Sequence, residues 1–398
     1  MKKGMGNGFY TLLIAQFLSA VADNALLFAA IALLHQLQAP SWHEPLLREF
    51  FIISYVVLAP FVGPFADALP KGKVMFLSNG IKFFGCVLAL AGVPPLYAYA
   101  IVGVGAAAYS PAKYGILTEM LPTCDLIKAN GWMEGTTVTA IILGPVLGAH
   151  ISANDPYFGI AVITALYMLA ALFNYHIPKM PIDHRVPQRT LGFILRDFWH
   201  AFTTLWKDTQ GQLSLAVTTL FWGAGATLQF VVLKWANIYL GFDQPAATKL
   251  IAVLAVGIAV GSVVASVQVK LEEAAKVLPA GTYMGLLVVG MIFVHDPIFA
   301  AVLLFLIGAL AGYFLVPLNS LLQHRGHQLL GAGHSIAVQN FNENIGILLM
   351  LGAYTWMVGQ NFAINHIIII FGLFIAFSMA FISQLYRKHL QQQKSPAK

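Results

Sequence analysis

Twelve apolar runs separated by short polar breaks limit what this chain can fold into. They lie near residues 10–34, 50–69, 74–93, 95–119, 130–152, 157–177, 213–240, 246–269, 277–295, 297–323, 333–359 and 363–386. Each is long enough to cross a hydrocarbon core of about 30 Å as a helix. Backbone groups in lipid have no water to bond, so isolated segments that cross it are helical. With 59% hydrophobic and 10% charged residues, and a mean hydropathy of +0.76, the chain falls outside the composition of soluble domains. The expected fold class is therefore all-α and polytopic, with twelve transmembrane helices.

Lysine and arginine set the expected orientation. If both ends lie on one side, 17 of the 22 Lys and Arg residues fall in segments on that side. Only Arg48 and Lys249 fall in the opposite loops, while Lys82, Lys113 and Lys234 lie inside spans. The positive-inside bias then makes both ends cytoplasmic, and the net charge of +6 reports topology instead of nucleic-acid binding. Residues 2–22 resemble a signal peptide, but the apolar run continues to Leu34 and reads as a retained first span. Cys86 and Cys124 give no disulfide or metal framework. The nearest Gly-Lys to a P-loop is Gly72-Lys73, followed by Val74, which excludes that nucleotide site. No cofactor or metal is expected.

The one long polar segment separates the sixth and seventh runs. Pro178, Pro181 and Pro187 make its first part a loop. From Thr190, a suitable N-cap, Leu191, Ile194, Leu195, Phe198, Phe202, Leu205 and Trp206 recur at helical spacing. Arg196, Asp197, His200 and Lys207 take the other side, so an amphipathic helix on the cytoplasmic leaflet is expected. The expected organisation is a six-helix bundle over 1–177, a linker over 178–212 and a second six-helix bundle over 213–398. A faint repeat supports two six-helix pseudo-repeats: Pro111 precedes Glu134 by 23 residues and Pro317 precedes Glu343 by 26, each Glu with an aromatic two residues before it.

Polar residues inside the spans fall on stripes. Gln16, Ser19 and Asp23 are three and four apart, as are Asn130, Glu134 and Thr137, and Ser335, Gln339 and Glu343 are four apart. Tyr109 and Lys113 stand one turn apart. A carboxylate at the centre of a membrane helix costs about 2.5 to 3.5 kcal/mol on insertion scales, so Asp23, beside Asn24, reads as a functional group or as a structural one bonded to its neighbours. Glu343 is about ten residues into its span, roughly 15 Å deep. Lys113 reads either as a cavity cation or as a residue snorkelling to the inner surface, and Lys82, in an otherwise apolar span, as one that snorkels. The sixth, ninth and twelfth spans hold no Asp, Glu, Lys or Arg between their ends and read as lipid-facing. "GPFADALPKGK" supplies Asp67, Lys71 and Lys73 for clasping helix ends and gating. Gly144-Pro145 reads either as membrane packing or as a gating bend, with Glu134 in the same span. His150 and Asp155 match an acyltransferase spacing that chance supplies, with no phosphate-binding partner.

Taken together, the twelve spans, the duplicated halves and "GPFADALPKGK" resemble the major facilitator superfamily. Ala68 and Pro70 stand where the pattern usually has a basic residue and Gly. "AQFLSAVADNALLFAAIALL", "LAPFVGPFADALPKGKVM", "VGVGAAAYSPAKYGILTE", "LFWGAGATLQF", "VPLNSLLQHRG" and "GAGHSIAVQN" are similar to the bacterial lysophospholipid transporter family. That resemblance implies flippase-like transport of lysophosphatidylethanolamine and lysophosphatidylglycerol from the outer to the inner leaflet of the bacterial inner membrane. There an acyltransferase/acyl-carrier-protein synthetase re-acylates them, and with the chain ending at Lys398 it is expected as a separate partner. The substrate-binding residues so implied are Asp23, Asn24, Tyr109, Lys113, Gln229, Gln339 and Glu343. Family members have a basic residue at the position of Gln229, which shifts the phosphate contact toward Lys113 or Lys234. The alternative is a proton-coupled exporter of amphipathic small molecules with Asp23, Glu134 or Glu343 titrating; an enzyme is not expected, for want of a nucleophile and base set.

Overall fold

The computed structural model describes residues 5–40, 43–180 and 190–394. Among these lie thirteen α-helices: α1 Asn7–Gln36, α2 His43–Ala68, α3 Lys71–Leu90, α4 Pro95–Met120, α5 Leu126–Ser152, α6 Pro156–Tyr175, α7 Leu191–Lys207, α8 Thr209–Leu240, α9 Gln244–Gln268, α10 Leu278–Gly290, α11 Pro297–Leu329, α12 Ala332–Gly359 and α13 Ile364–Lys394. Each of the twelve apolar runs overlaps a helix, and α7 is the amphipathic helix of the linker. The Pro181 and Pro187 positions of the linker loop lie outside the described residues.

Ten of the spans among the described residues are long and apolar enough to cross a membrane by length and composition, and the chain is a multi-pass membrane protein. Helices α4 and α12 are not among the ten. Both carry polar side chains along their length: Tyr109, Ser110 and Lys113 in α4, and His334, Gln339, Asn340, Asn342 and Glu343 in α12.

Local chemistry sets the helix ends. The Asp155 carboxylate accepts from the Tyr157 N–H at 2.9 Å, Asp208 accepts from Gly211 at 2.9 Å, and Asp243 accepts from Ala246 at 3.0 Å. Asp155 is thus a helix cap. Helix α8 stops at Gly241, whose φ of 65° lies in the left-handed region that glycine enters without strain.

The chain forms two compact units. The first comprises Met1–Leu126, Thr136–Thr204 and Gln323–Phe341. In it α1 packs on α6, α2 on α4, and α3 on both α4 and α6, around Leu26, Leu33, Leu47, Cys86, Ile163 and Tyr167. The second comprises Ile127–Gly135, Leu205–Leu322 and Asn342–Lys398, with Phe221, Trp235, Leu304, Phe314, Ile367 and Met379 in its core. Large apolar side chains such as Phe158, Tyr175, Phe299 and Phe377 remain exposed, as expected of surfaces that face lipid.

Candidate functional site

Asp23 is the centre of a polar cluster inside the first unit. Its carboxylate takes an ion pair from Lys82 of α3 at 2.8 Å through one oxygen, and a hydrogen bond from the Tyr167 hydroxyl of α6 at 2.7 Å through the other. Lys82 also donates to Ser19 Oγ at 3.0 Å, and Ser19 in turn donates to Asn79 Oδ1 at 2.8 Å. The ammonium stands 4.7 Å from the centre of the Tyr109 ring and 5.5 Å from that of Tyr167, within cation–π range. The two partners differ in access: the Lys82 side chain is 1% exposed and that of Asp23 is 22% exposed.

Two expectations are corrected here. Lys82 does not snorkel; four apolar methylenes carry its charge inward to a carboxylate, a hydroxyl and two rings, which together replace the water it gives up. Helix α6 has no charged residue in its span but is not merely lipid-facing, because buried Tyr167 completes the cluster. Spacing offered one signal: Ser78, Asn79 and Lys82 form a stripe on α3 like the one on α1.

The other expected residues take separate places. Asn24 donates to Ala20 O in its own helix at 2.8 Å. Lys113 reaches Thr137 Oγ1 at 3.4 Å, and its ammonium lies 4.5 Å from the centre of the Tyr114 ring. Gln16 donates to Thr136 Oγ1. In the second unit, buried Glu134 accepts from Asn319 at 3.4 Å, Gln229 is half-buried and Glu343 is buried. Gln339, in the first unit, is buried. Helix α5 runs unbroken through Gly144 and Pro145 to Ser152. A Cβ at Gly144 would collide with Asn24 and one at Gly148 with the Ala25 backbone, so both glycines serve close packing of α5 on α1.

A second cluster surrounds Asp67, whose side chain is fully buried. One oxygen accepts from Lys71 Nζ at 2.7 Å and from the Gly333 N–H at 2.8 Å. The other accepts from the His334 N–H at 3.0 Å and faces His334 Nδ1 at 2.6 Å. Asp67 thereby caps the first turn of α12 from another helix, where free N–H groups and the helix dipole favour an anion. Lys71 pairs in addition with Glu119 at 3.0 Å. His334 Nε2 lies 3.0 Å from Asp197 of α7. With a carboxylate at each ring nitrogen, only an imidazole carrying hydrogen on both satisfies both partners. Gly63 lets α2 approach closely, since a Cβ there would lie 3.1 Å from His334 Cα. Asn340 donates to Ser110 on α4 at 2.9 Å. Of the sequence-expected clasp, Asp67 and Lys71 meet, while Lys73 is exposed and stands outside the cluster.

A multi-pass bundle with buried polar clusters between its helices is the build of a membrane transporter, and the sequence profile described as Major Facilitator Superfamily matches residues 12–351. The chain belongs to that superfamily. It is 42% identical over 383 residues to the lysophospholipid transporter LplT of Escherichia coli O157:H7 (strain EC4115 / EHEC), covering 96% of each protein. Its fold is similar to that of the human organic anion transporter MFSD10, with a TM-score of 0.75 at 15% identity over 94% of this chain and 100% of that one. The transporter FucP, solved in the outward conformation, superposes with a TM-score of 0.75 at 14% identity over 95% of this chain and 98% of FucP. The expectation of a transporter and not an enzyme agrees with the superfamily match and with LplT, which is named as a transporter.

Proposed function

We propose that the chain is a lysophospholipid transporter, moving lysophosphatidylethanolamine and lysophosphatidylglycerol from the outer to the inner leaflet of the bacterial inner membrane for re-acylation. The observation that carries this reading is the 42% identity to LplT across 96% of both chains. In the proposed arrangement twelve spans form two six-helix pseudo-repeats with both termini cytoplasmic, supported by the basic-residue asymmetry. The proposed consumer of the cargo is an acyltransferase/acyl-carrier-protein synthetase.

A lysophospholipid has one acyl chain and a zwitterionic or anionic head, so its carrier needs polar groups for the head within apolar walls. Asp23, the more accessible member of its pair, is assigned to hydrogen-bond donors of the head group, and Lys113 to the phosphate. The Asp67–Lys71–His334 cluster is assigned to gating, because it ties the start of α12 to α2 and α3 through groups that are costly to leave without partners. Uptake of labelled lysophosphatidylethanolamine into spheroplasts, with the leaflet resolved by an impermeant quencher, tests the reading. Expression of the chain should bring label to the inner leaflet; label that stays outside, with well-inserted protein, would refute it.

A further inference from the structure

Helix α7 presents two unlike faces. One is held by the protein: Asp197 bonds His334 at 3.0 Å, Phe198 and Phe202 meet Phe341 edge-on at 5.5 and 6.2 Å, and Ala201 and Leu205 are buried. The other carries Leu191, Leu195 and Trp199, which are 61, 47 and 62% exposed. Their spacing of four sets them in one row along the helix, and the next row round carries exposed Arg196 and His200. The Trp199 ring is held out flat, stacked on Phe202 with centroids 5.1 Å apart.

Water is a poor occupant for a row of Leu, Leu and Trp, whereas a lipid surface suits it: apolar side chains enter the acyl region while neighbouring cations meet phosphate. Position agrees. The helix ends at Lys207, with only Asp208 between it and the start of α8, and α8 is among the spans apolar enough to cross a membrane. Arg196 supplies the sign, since a cation beside an apolar row favours an anionic surface over a zwitterionic one.

We infer that the outer face of α7 is a binding surface for anionic phospholipid of the cytoplasmic leaflet, and that its occupancy holds Asp197 on His334. The inference uses the topology given above, in which the linker is cytoplasmic, but not the identity of the cargo. Coupling follows from geometry. Insertion of the 191–195–199 row fixes the roll of α7 about its axis, and that roll determines whether Asp197 meets His334, whose other ring nitrogen faces Asp67.

The test uses the full-length protein with Cys124→Ser and Leu195→Cys, labelled with an environment-sensitive dye; Cys86 is buried and should not react. It is reconstituted in phosphatidylcholine vesicles with and without phosphatidylglycerol. The dye should move to shorter wavelength and be quenched by acyl-chain doxyl lipids when phosphatidylglycerol is present. Arg196→Gln should weaken that response about fivefold, the factor matching about 1 kcal/mol per cation at an anionic surface. A dye that stays in water, or that inserts equally without phosphatidylglycerol, overturns the binding surface. Coupling is read separately by hydrogen exchange over residues 332–341, which phosphatidylglycerol should slow in the parent and leave unchanged in Asp197→Asn. Exchange insensitive to phosphatidylglycerol in the parent overturns the coupling. Neither readout involves lysolipid transport, so failure here is distinct from failure of the transport assignment.

Discussion

Removing one member of the Asp23–Lys82 pair should cost more than removing both. At 2.8 Å and an effective dielectric constant of about 20, the two charges attract by about 6 kcal/mol. Desolvation takes back several of these, leaving a coupling of about 2 to 3 kcal/mol. The single changes should be unequal, because only the lysine is fully enclosed. Asp23→Asn strands a buried ammonium with one serine hydroxyl and two rings, at about 3 to 5 kcal/mol. Lys82→Met leaves a carboxylate that keeps the Tyr167 hydroxyl and some solvent, at about 1 to 3 kcal/mol. The double variant should recover most of the stability, yet still lack the carboxylate that the transport assignment requires. Denaturant unfolding of the purified protein in micelles gives the cycle, and lysolipid uptake is measured on the same four proteins. A coupling below about 0.5 kcal/mol, or Lys82→Met unfolding more readily than Asp23→Asn, would refute the electrostatic argument.

Asp67→Asn removes the anion that caps α12 and pairs with Lys71, and should destabilise by about 3 to 5 kcal/mol, measured by thermal unfolding. Lys113→Ala should weaken binding of every phosphate-bearing head group roughly ten- to a hundredfold, with Lys113→Arg restoring part of the loss; binding unchanged from the parent would remove Lys113 from the site. Gly148→Ala, which drives a methyl into the Ala25 backbone, should cost about 1 to 3 kcal/mol, while Gly135→Ala, with open space at its Cβ, should be near neutral and serves as the control. Uptake down the lipid's own gradient should survive an uncoupler; loss of uptake together with a pH dependence removed by Glu343→Gln would favour proton coupling.

Helix type was legible because isolated apolar runs of this length cross lipid as helices, while ten of the twelve expected spans are long and apolar enough among the described residues. The same holds for Asp67 with Lys71, since they flank the short break between the end of α2 and the start of α3, which keeps the two side chains within reach of each other. Lys82 was misread because snorkelling is argued from depth along a single span, whereas its carboxylate lies 59 residues away on α1 and its second ring on α6. His334 was illegible as the partner of Asp67, 267 residues away, and of Asp197, 137 residues away. Such contacts depend on which helix ends dock, and periodicity within one helix carries no record of that.

The neutrality of the Asp23–Lys82 pair has an electrical consequence. A charge crossing the membrane potential exchanges about 2.3 kcal/mol per 100 mV, but a carboxylate and an ammonium that move as a bonded unit carry none. For this pair, then, the voltage is felt only by the cargo. Under the proposed function, zwitterionic lysophosphatidylethanolamine crosses without electrical work. Lysophosphatidylglycerol takes one negative charge toward a negative interior, a handicap of about fiftyfold in equilibrium distribution per 100 mV. Consumption by re-acylation on the inner face would then matter most for the anionic lipid, whose own gradient is opposed by the field.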